Sequence, residues 1–112
     1  MTILVLTAHA HWIPPDQIVA SLRNDETLRT RVGVRSIERQ GRILMIRVDP
    51  NLWTTVEPNL RRELAENWYQ VWRHNVEQGI VAVLALPDDA PLVNFDASGN
   101  ARLLNLEKPS VK

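Results

Sequence analysis

Residues 31–48 read RVGVRSIERQGRILMIRV, and the fold turns on how the two halves of this stretch pair. Two strand-like runs, Val32–Glu38 and Arg42–Val48, flank a Gln40-Gly41 pair. Two-residue hairpin loops favour Asn-Gly or Asp-Gly, and Gln-Gly suits that geometry poorly. A three-residue loop, Arg39-Gln40-Gly41, needs a left-handed backbone only at Gly41. That loop predicts the pairs Glu38/Arg42, Ile37/Ile43, Ser36/Leu44 and Val34/Ile46. One face then carries Val32, Val34, Ser36, Leu44, Ile46 and Val48, and becomes the core side. The other carries Arg31, Gly33, Arg35, Ile37, Ile43, Met45 and Arg47. A one-residue slip would invert every side chain, and a two-residue loop would set Arg35 beside Leu44 and Ile46.

The elements around the hairpin follow from periodicity. Ile3 to His9 is apolar on both parities, as a strand covered on both faces would be. WIPPDQIVASLRND (residues 12–25) opens a helix at Pro15, with Ile18, Val19 and Leu22 on one stripe. Asp49-Pro50-Asn51 stops the second hairpin strand. A long helix follows, with Thr55 expected as N-cap and Pro58 in its first turn. At about 100° per residue, Leu64, Ala65, Trp68, Tyr69, Val71, Trp72 and Val76 share a half-circle with Leu60. Arg61 falls among them, its stem expected to snorkel outward, and Gly79 is expected to terminate the helix. IVAVLALP (residues 80–87) is a further strand apolar on both parities. LVNFDASGNARLLNL (residues 92–106) reads as a hairpin turning at Asp96–Gly99.

The order βαββαβ plus a C-terminal ββ predicts a two-layer α+β fold. It matches the ferredoxin-like split βαβ arrangement with an additional C-terminal β-hairpin, an antiparallel sheet carrying its helices on one face. Residues 1–106 are expected to form one domain and 107–112 a polar tail, which suits a chain of 112 residues.

Charge and composition narrow the function classes. Basic and acidic residues number 13 each, so the formal net charge is zero and no global field attracts nucleic acid or membrane. Eleven of the basic residues are arginine, and six of these (Arg29, Arg31, Arg35, Arg39, Arg42, Arg47) fall between positions 29 and 47 with Glu38 the only acid among them. There is no cysteine, which removes disulfides, thiolate zinc sites and thiol catalysis. The N-terminal MTILVLTAHAHW lacks a basic leader region and reads as a strand, so a cytoplasmic location is expected.

Chemistry-bearing residues are few. His9 and His11 stand two apart on one side of a continuing strand, the spacing at which two imidazoles can share a metal, with Asp16 or His74 as a third ligand. Two partly exposed histidines at a strand end account for the same residues. His74 lies on the polar half of the long helix, where a solvated histidine needs no catalytic role. Trp68, Tyr69 and Trp72 sit at helical spacing on the apolar half and read as core. Phosphate loops and nucleophile elbows are missing, and no cofactor is implied.

In the split βαβ order the first strand neighbours the second hairpin strand. Ile3 and Val5 would then lie beside Ile43 and Met45 on the helix-free face. An aliphatic patch bordered by arginines is large enough to need a covering, each buried aliphatic contributing about 1.5–3 kcal/mol. The leading expectation is therefore a non-enzymatic interaction or regulatory module, homodimeric or bound to another protein. Ile3, Val5, Ile37, Ile43 and Met45 would supply apolar contacts, and Arg31, Arg35 and Arg47 orienting charges. Alternatively the C-terminal hairpin folds back over that face. A rival reading is a small-molecule binder or enzyme of the dimeric α+β barrel type, with a metal at His9/His11. RNA binding ranks third, because the expected open face lacks the aromatics on which bases stack.

Overall fold

The computed structural model describes residues 13–95 and 101–103. Helix α1 (Pro15–Arg23) starts with proline at its first position, Asp16 in its first turn and Arg23 in its last, each matched to the helix dipole. Asn24 ends it, and the Asp25 carboxylate accepts from Leu28 N at 3.2 Å to start a separate π-helical turn over Leu28–Val32. Gly33 closes that turn with φ 92°, and a Cβ there would fall 2.7 Å from Leu52 Cβ. Only glycine serves both demands.

Strands β1 (Val34–Gln40) and β2 (Ile43–Val48) form the hairpin. Its register corrects the sequence expectation. Gln40 pairs with Ile43 and Ile37 with Ile46, so the loop has two residues, Gly41 and Arg42. Gly41 is left-handed, as expected, with φ 59°. Left-handed glycine at the first loop position alone fits a type II′ turn, which asks nothing unusual of Arg42. The conflict foreseen for Arg35 is removed by a β-bulge between Val34 and Ser36. The extra residue lets Val34 and Ile37 both point into the core while Arg35 turns out. Ile37, expected on the open face, is 1% exposed in the core.

After β2, Asp49 caps the short helix α2 (Pro50–Trp53), its carboxylate accepting from Asn51 N at 2.9 Å. Helix α3 (Pro58–Asn75) follows with Glu57 at the N-cap. Thr55 does not cap it; its hydroxyl donates back to Leu52 O at 2.6 Å. Ala65, Trp68, Tyr69 and Trp72 bury one side of α3, and Trp53 stacks on Trp68 with ring centroids 6.3 Å apart. Arg61 is buried rather than snorkelling, whereas Leu60 and Val71, expected inside, are exposed. The helix stops at Asn75, and the left-handed residue beyond it is Gln78. Gly79 serves a different purpose: a Cβ there would meet Trp72 Cδ1 at 2.7 Å. That close approach lets Trp72 Nε1 donate to Arg42 O at 2.8 Å, tying α3 to the hairpin loop.

Strands β3 (Ile80–Ala85), β4 (Ala90–Phe95) and β5 (Ala101–Leu103) bring the sheet of the described residues to five strands, in the order β1-β2-β3-β4-β5. Among the described strands only the β2–β3 pair is parallel, from Ile43/Ile80 to Val48/Ala85, so the sheet is mixed rather than antiparallel. The ferredoxin-like order holds a strand between these two; here they pair directly, with α3 as the crossover. The architecture is α+β, but the described strand order is not the ferredoxin-like one. Strands β4 and β5 extend the sheet beyond β3 in its own plane instead of folding over a face. The buried side chains of α1, the π-helical turn, α2 and α3 form one cluster with Leu44, Ile46, Val48, Val81, Val83 and Val93. Among the described residues the helices thus pack on a single face of β2 and β3.

Candidate interaction surface

The face opposite the core is built by strand alternation. On β2, Leu44, Ile46 and Val48 are fully buried, and the intervening Ile43, Met45 and Arg47 are half-buried. On β3, Val81, Val83 and Ala85 are buried, and Ile80, Ala82 and Leu84 are half-buried. The parallel register sets Ile43 beside Ile80, Met45 beside Ala82 and Arg47 beside Leu84. Five aliphatic side chains therefore lie together on a surface that no described helix covers.

Arg47 borders this patch and is held from two sides. Its Nη1 donates to Glu38 Oε1 at 2.8 Å and its Nε to Asp89 Oδ1 at 2.9 Å. Glu38 arrives from β1 because the two-residue loop puts it opposite Met45, and Asp89 arrives from the β3–β4 turn with a left-handed φ of 59°. The hydrogen bond it donates to Asp89, then that to Glu38, raises the arginine pKa above its ordinary value, outweighing the opposing cost of burial. The rim cation is satisfied within its own chain, and the aliphatic centre beside it is left without a described cover.

The expected site residues divide accordingly. Ile43, Met45 and Arg47 come together on the helix-free face, and Ile37 does not. Arg31 is exposed on the π-helical turn, away from the patch. Arg35 sits at the bulge on the sheet edge, 3.7 Å from the Asp49 carboxylate and donating to Arg29 O at 2.9 Å. Ile3, Val5, His9 and His11 lie outside the described residues. Ile80, Ala82 and Leu84 were missed, although their run was legible as a strand apolar on both parities; only the unexpected parallel pairing brings them beside β2.

Other chemistry is sparse. His74 is exposed beside Ile13 and Val71, at a hollow of about 440 Å³, and Ile13 N donates to Asn75 Oδ1 at 2.7 Å there. Among the described residues no three His, Asp or Glu side chains gather as a metal site. A second hollow, of about 500 Å³, opens at the carboxyl ends of β2 and β3, walled by Pro50, Leu86 and Pro87 with the Arg35–Asp49 pair at its rim. No helix of the described residues is long and apolar enough to cross a membrane. Comparison with family models, with curated proteins and with solved structures finds no match to this chain.

Proposed function

We propose that the protein is a non-enzymatic interaction module that associates with a second copy of itself through the helix-free face of its sheet. The observation that carries this reading is the aliphatic patch of Ile43, Met45, Ile80, Ala82 and Leu84, turned away from every described helix. Contiguous apolar surface of this kind is costly to leave in water. Isologous pairing would lay the patch on its own copy, as in most soluble homodimers. Arg47, Glu38 and Asp89 then form a polar rim whose internal bonds survive association and fix orientation more than affinity.

The cysteine-free sequence gives a clean test. A single Ala82→Cys substitution places one thiol in the middle of the patch, and Glu66→Cys places one on the exposed side of α3. With a short flexible bis-maleimide, the Ala82→Cys protein is expected to cross-link as a dimer and the Glu66→Cys protein to remain single. Equal cross-linking of the two, or none at Ala82→Cys, refutes the reading.

A further inference from the structure

We propose that the groove between α1 and the outer edge of β1 is a receptor for a compact polyanion, a molecule presenting two or more phosphate or carboxylate groups to Arg23, Arg29 and Arg35. The groove has a volume of about 270 Å³, and the three arginines line it with Leu22, Ser36 and Glu38. It lies at the sheet edge, apart from the helix-free face, and does not depend on association through that face.

The arginines are tethered in series by main-chain carbonyls. Arg23 Nε donates to Ile37 O at 2.8 Å, Arg29 Nη1 to Arg23 O at 3.2 Å, and Arg35 Nη1 to Arg29 O at 2.9 Å. A guanidinium carries five N–H donors and no acceptor, so each tether leaves most of the fork available. Long side chains ordinarily lose rotamer freedom when they engage a ligand. Here part of that ordering is already in place, and a planar fork held in position suits oxyanions better than a mobile ammonium would.

The local charge is unbalanced. Glu38 is the groove's own acid, and its carboxylate is bound to Arg47 at 2.8 Å. Arg35 has Asp49 at 3.7 Å, longer than a charge-assisted hydrogen bond. Arg23 and Arg29 make no ion pair with the described residues. Positive charge is thus concentrated in this groove within a chain of zero formal net charge.

Strand addition is the alternative use of a sheet edge, and the geometry works against it. Because Gln40 and Ile43 close the two-residue loop, alternation turns the main chain of Ile37 outward. Its carbonyl is occupied by Arg23 and the residue is 1% exposed, while the bulge at Arg35 bends the edge away from a straight partner. What the groove offers is guanidinium groups over a small volume, which fits one compact molecule.

Titrating the full chain with pyrophosphate and, separately, with citrate tests the proposal, read by calorimetry and by NMR of the arginine Nε–Hε groups. Saturable single-site binding of at least one probe is expected, with shifts confined to Arg23, Arg29 and Arg35. The tighter probe identifies phosphate or carboxylate as the ligand's chemistry. Arg29→Gln keeps the side chain polar and removes its charge, and should weaken binding by about tenfold or more. Arg62→Gln on α3 should leave binding unchanged. Arg35→Gln is read in place of Arg29→Gln if the latter's amide spectrum shows altered folding. Binding that does not saturate, that is equal in wild type and groove variant, or that shifts Arg62 and Arg73 as much as the groove arginines, overturns the proposal.

Discussion

Replacing Ile37 by alanine tests the hairpin register, and with it the identity of the two sheet faces. Ile37 is 1% exposed, and its partner across the ladder, Ile46, is fully buried. Truncation removes most of a buried aliphatic side chain between strands that cannot easily close up. Such changes cost about 2–5 kcal/mol through lost burial and the residual cavity, and the near-complete burial here argues for about 3 kcal/mol. With a urea m-value of about 1.5 kcal/mol/M, ordinary for a domain of this size, the unfolding midpoint should fall by about 2 M. Ile43→Ala, a half-buried position on the opposite face, should cost about 1 kcal/mol by the same reasoning. Both belong at one protein concentration, since association stabilises by mass action. A loss below about 1 kcal/mol for Ile37→Ala, or a larger loss for Ile43→Ala, would mean the register and the facing are wrong.

The backbone supplies a second contrast: Gly33→Ala meets Leu52 Cβ at 2.7 Å as well as a left-handed φ, whereas a Cβ on Gly41 has nothing within 4 Å. Thermal unfolding should therefore show a loss of about 2–3 kcal/mol at Gly33 and about 1 kcal/mol at Gly41. Trp72→Phe removes the Nε1 donor to Arg42 O and should cost about 0.5–1.5 kcal/mol in urea unfolding, the worth of one hydrogen bond, because Ile80 N still donates to the same carbonyl at 3.0 Å. Arg47→Ala should cost no more than about 1 kcal/mol, since Glu38 and Asp89 are substantially exposed, and salt should shrink the difference. Because folding raises the Arg47 pKa, its stabilisation is complete below the ordinary arginine value and is lost only as pH rises through the higher folded one. Arg47's own titration should therefore leave the difference between wild type and Arg47→Ala unchanged from pH 6 to 9.

Much of the fold was legible because strong local rules acted alone. Pro15 and the Ile18–Val19–Leu22 stripe marked α1, the tryptophans marked α3, and Leu44, Ile46 and Val48 marked the inward parity of β2. The errors arose where two local devices compensated for each other. A two-residue loop would set Arg35 against the core unless the strand bulges, and the chain carries both loop and bulge. Alternation along the sequence disfavours that loop, because a bulge leaves no mark in the pattern of apolar residues. Glycine commonly terminates a helix, which is what position 79 suggests, yet the left-handed position falls to Gln78 and Gly79 makes room for Trp72. The parallel contact between β2 and β3 is a long-range choice that no local pattern encodes, and it is what adds Ile80, Ala82 and Leu84 to the candidate surface. The arginines resisted reading for a related reason. Their partners are distant in sequence or on other elements, Asp16 on α1 for Arg39 at 3.3 Å, Asp49 for Arg35 and Asp89 for Arg47, and carbonyl tethers leave no sequence signature.

Sedimentation equilibrium of the wild type beside Met45→Asp bears most directly on the claim that the helix-free face is an association surface. Met45 sits at the centre of the patch, half-buried beside Ala82, where a carboxylate would be desolvated on pairing without entering the core. The wild type should sediment at twice the chain mass and Met45→Asp at the chain mass, with the same far-ultraviolet circular dichroism. A wild type that stays at the chain mass, or a Met45→Asp protein that associates as strongly as wild type, would contradict the account.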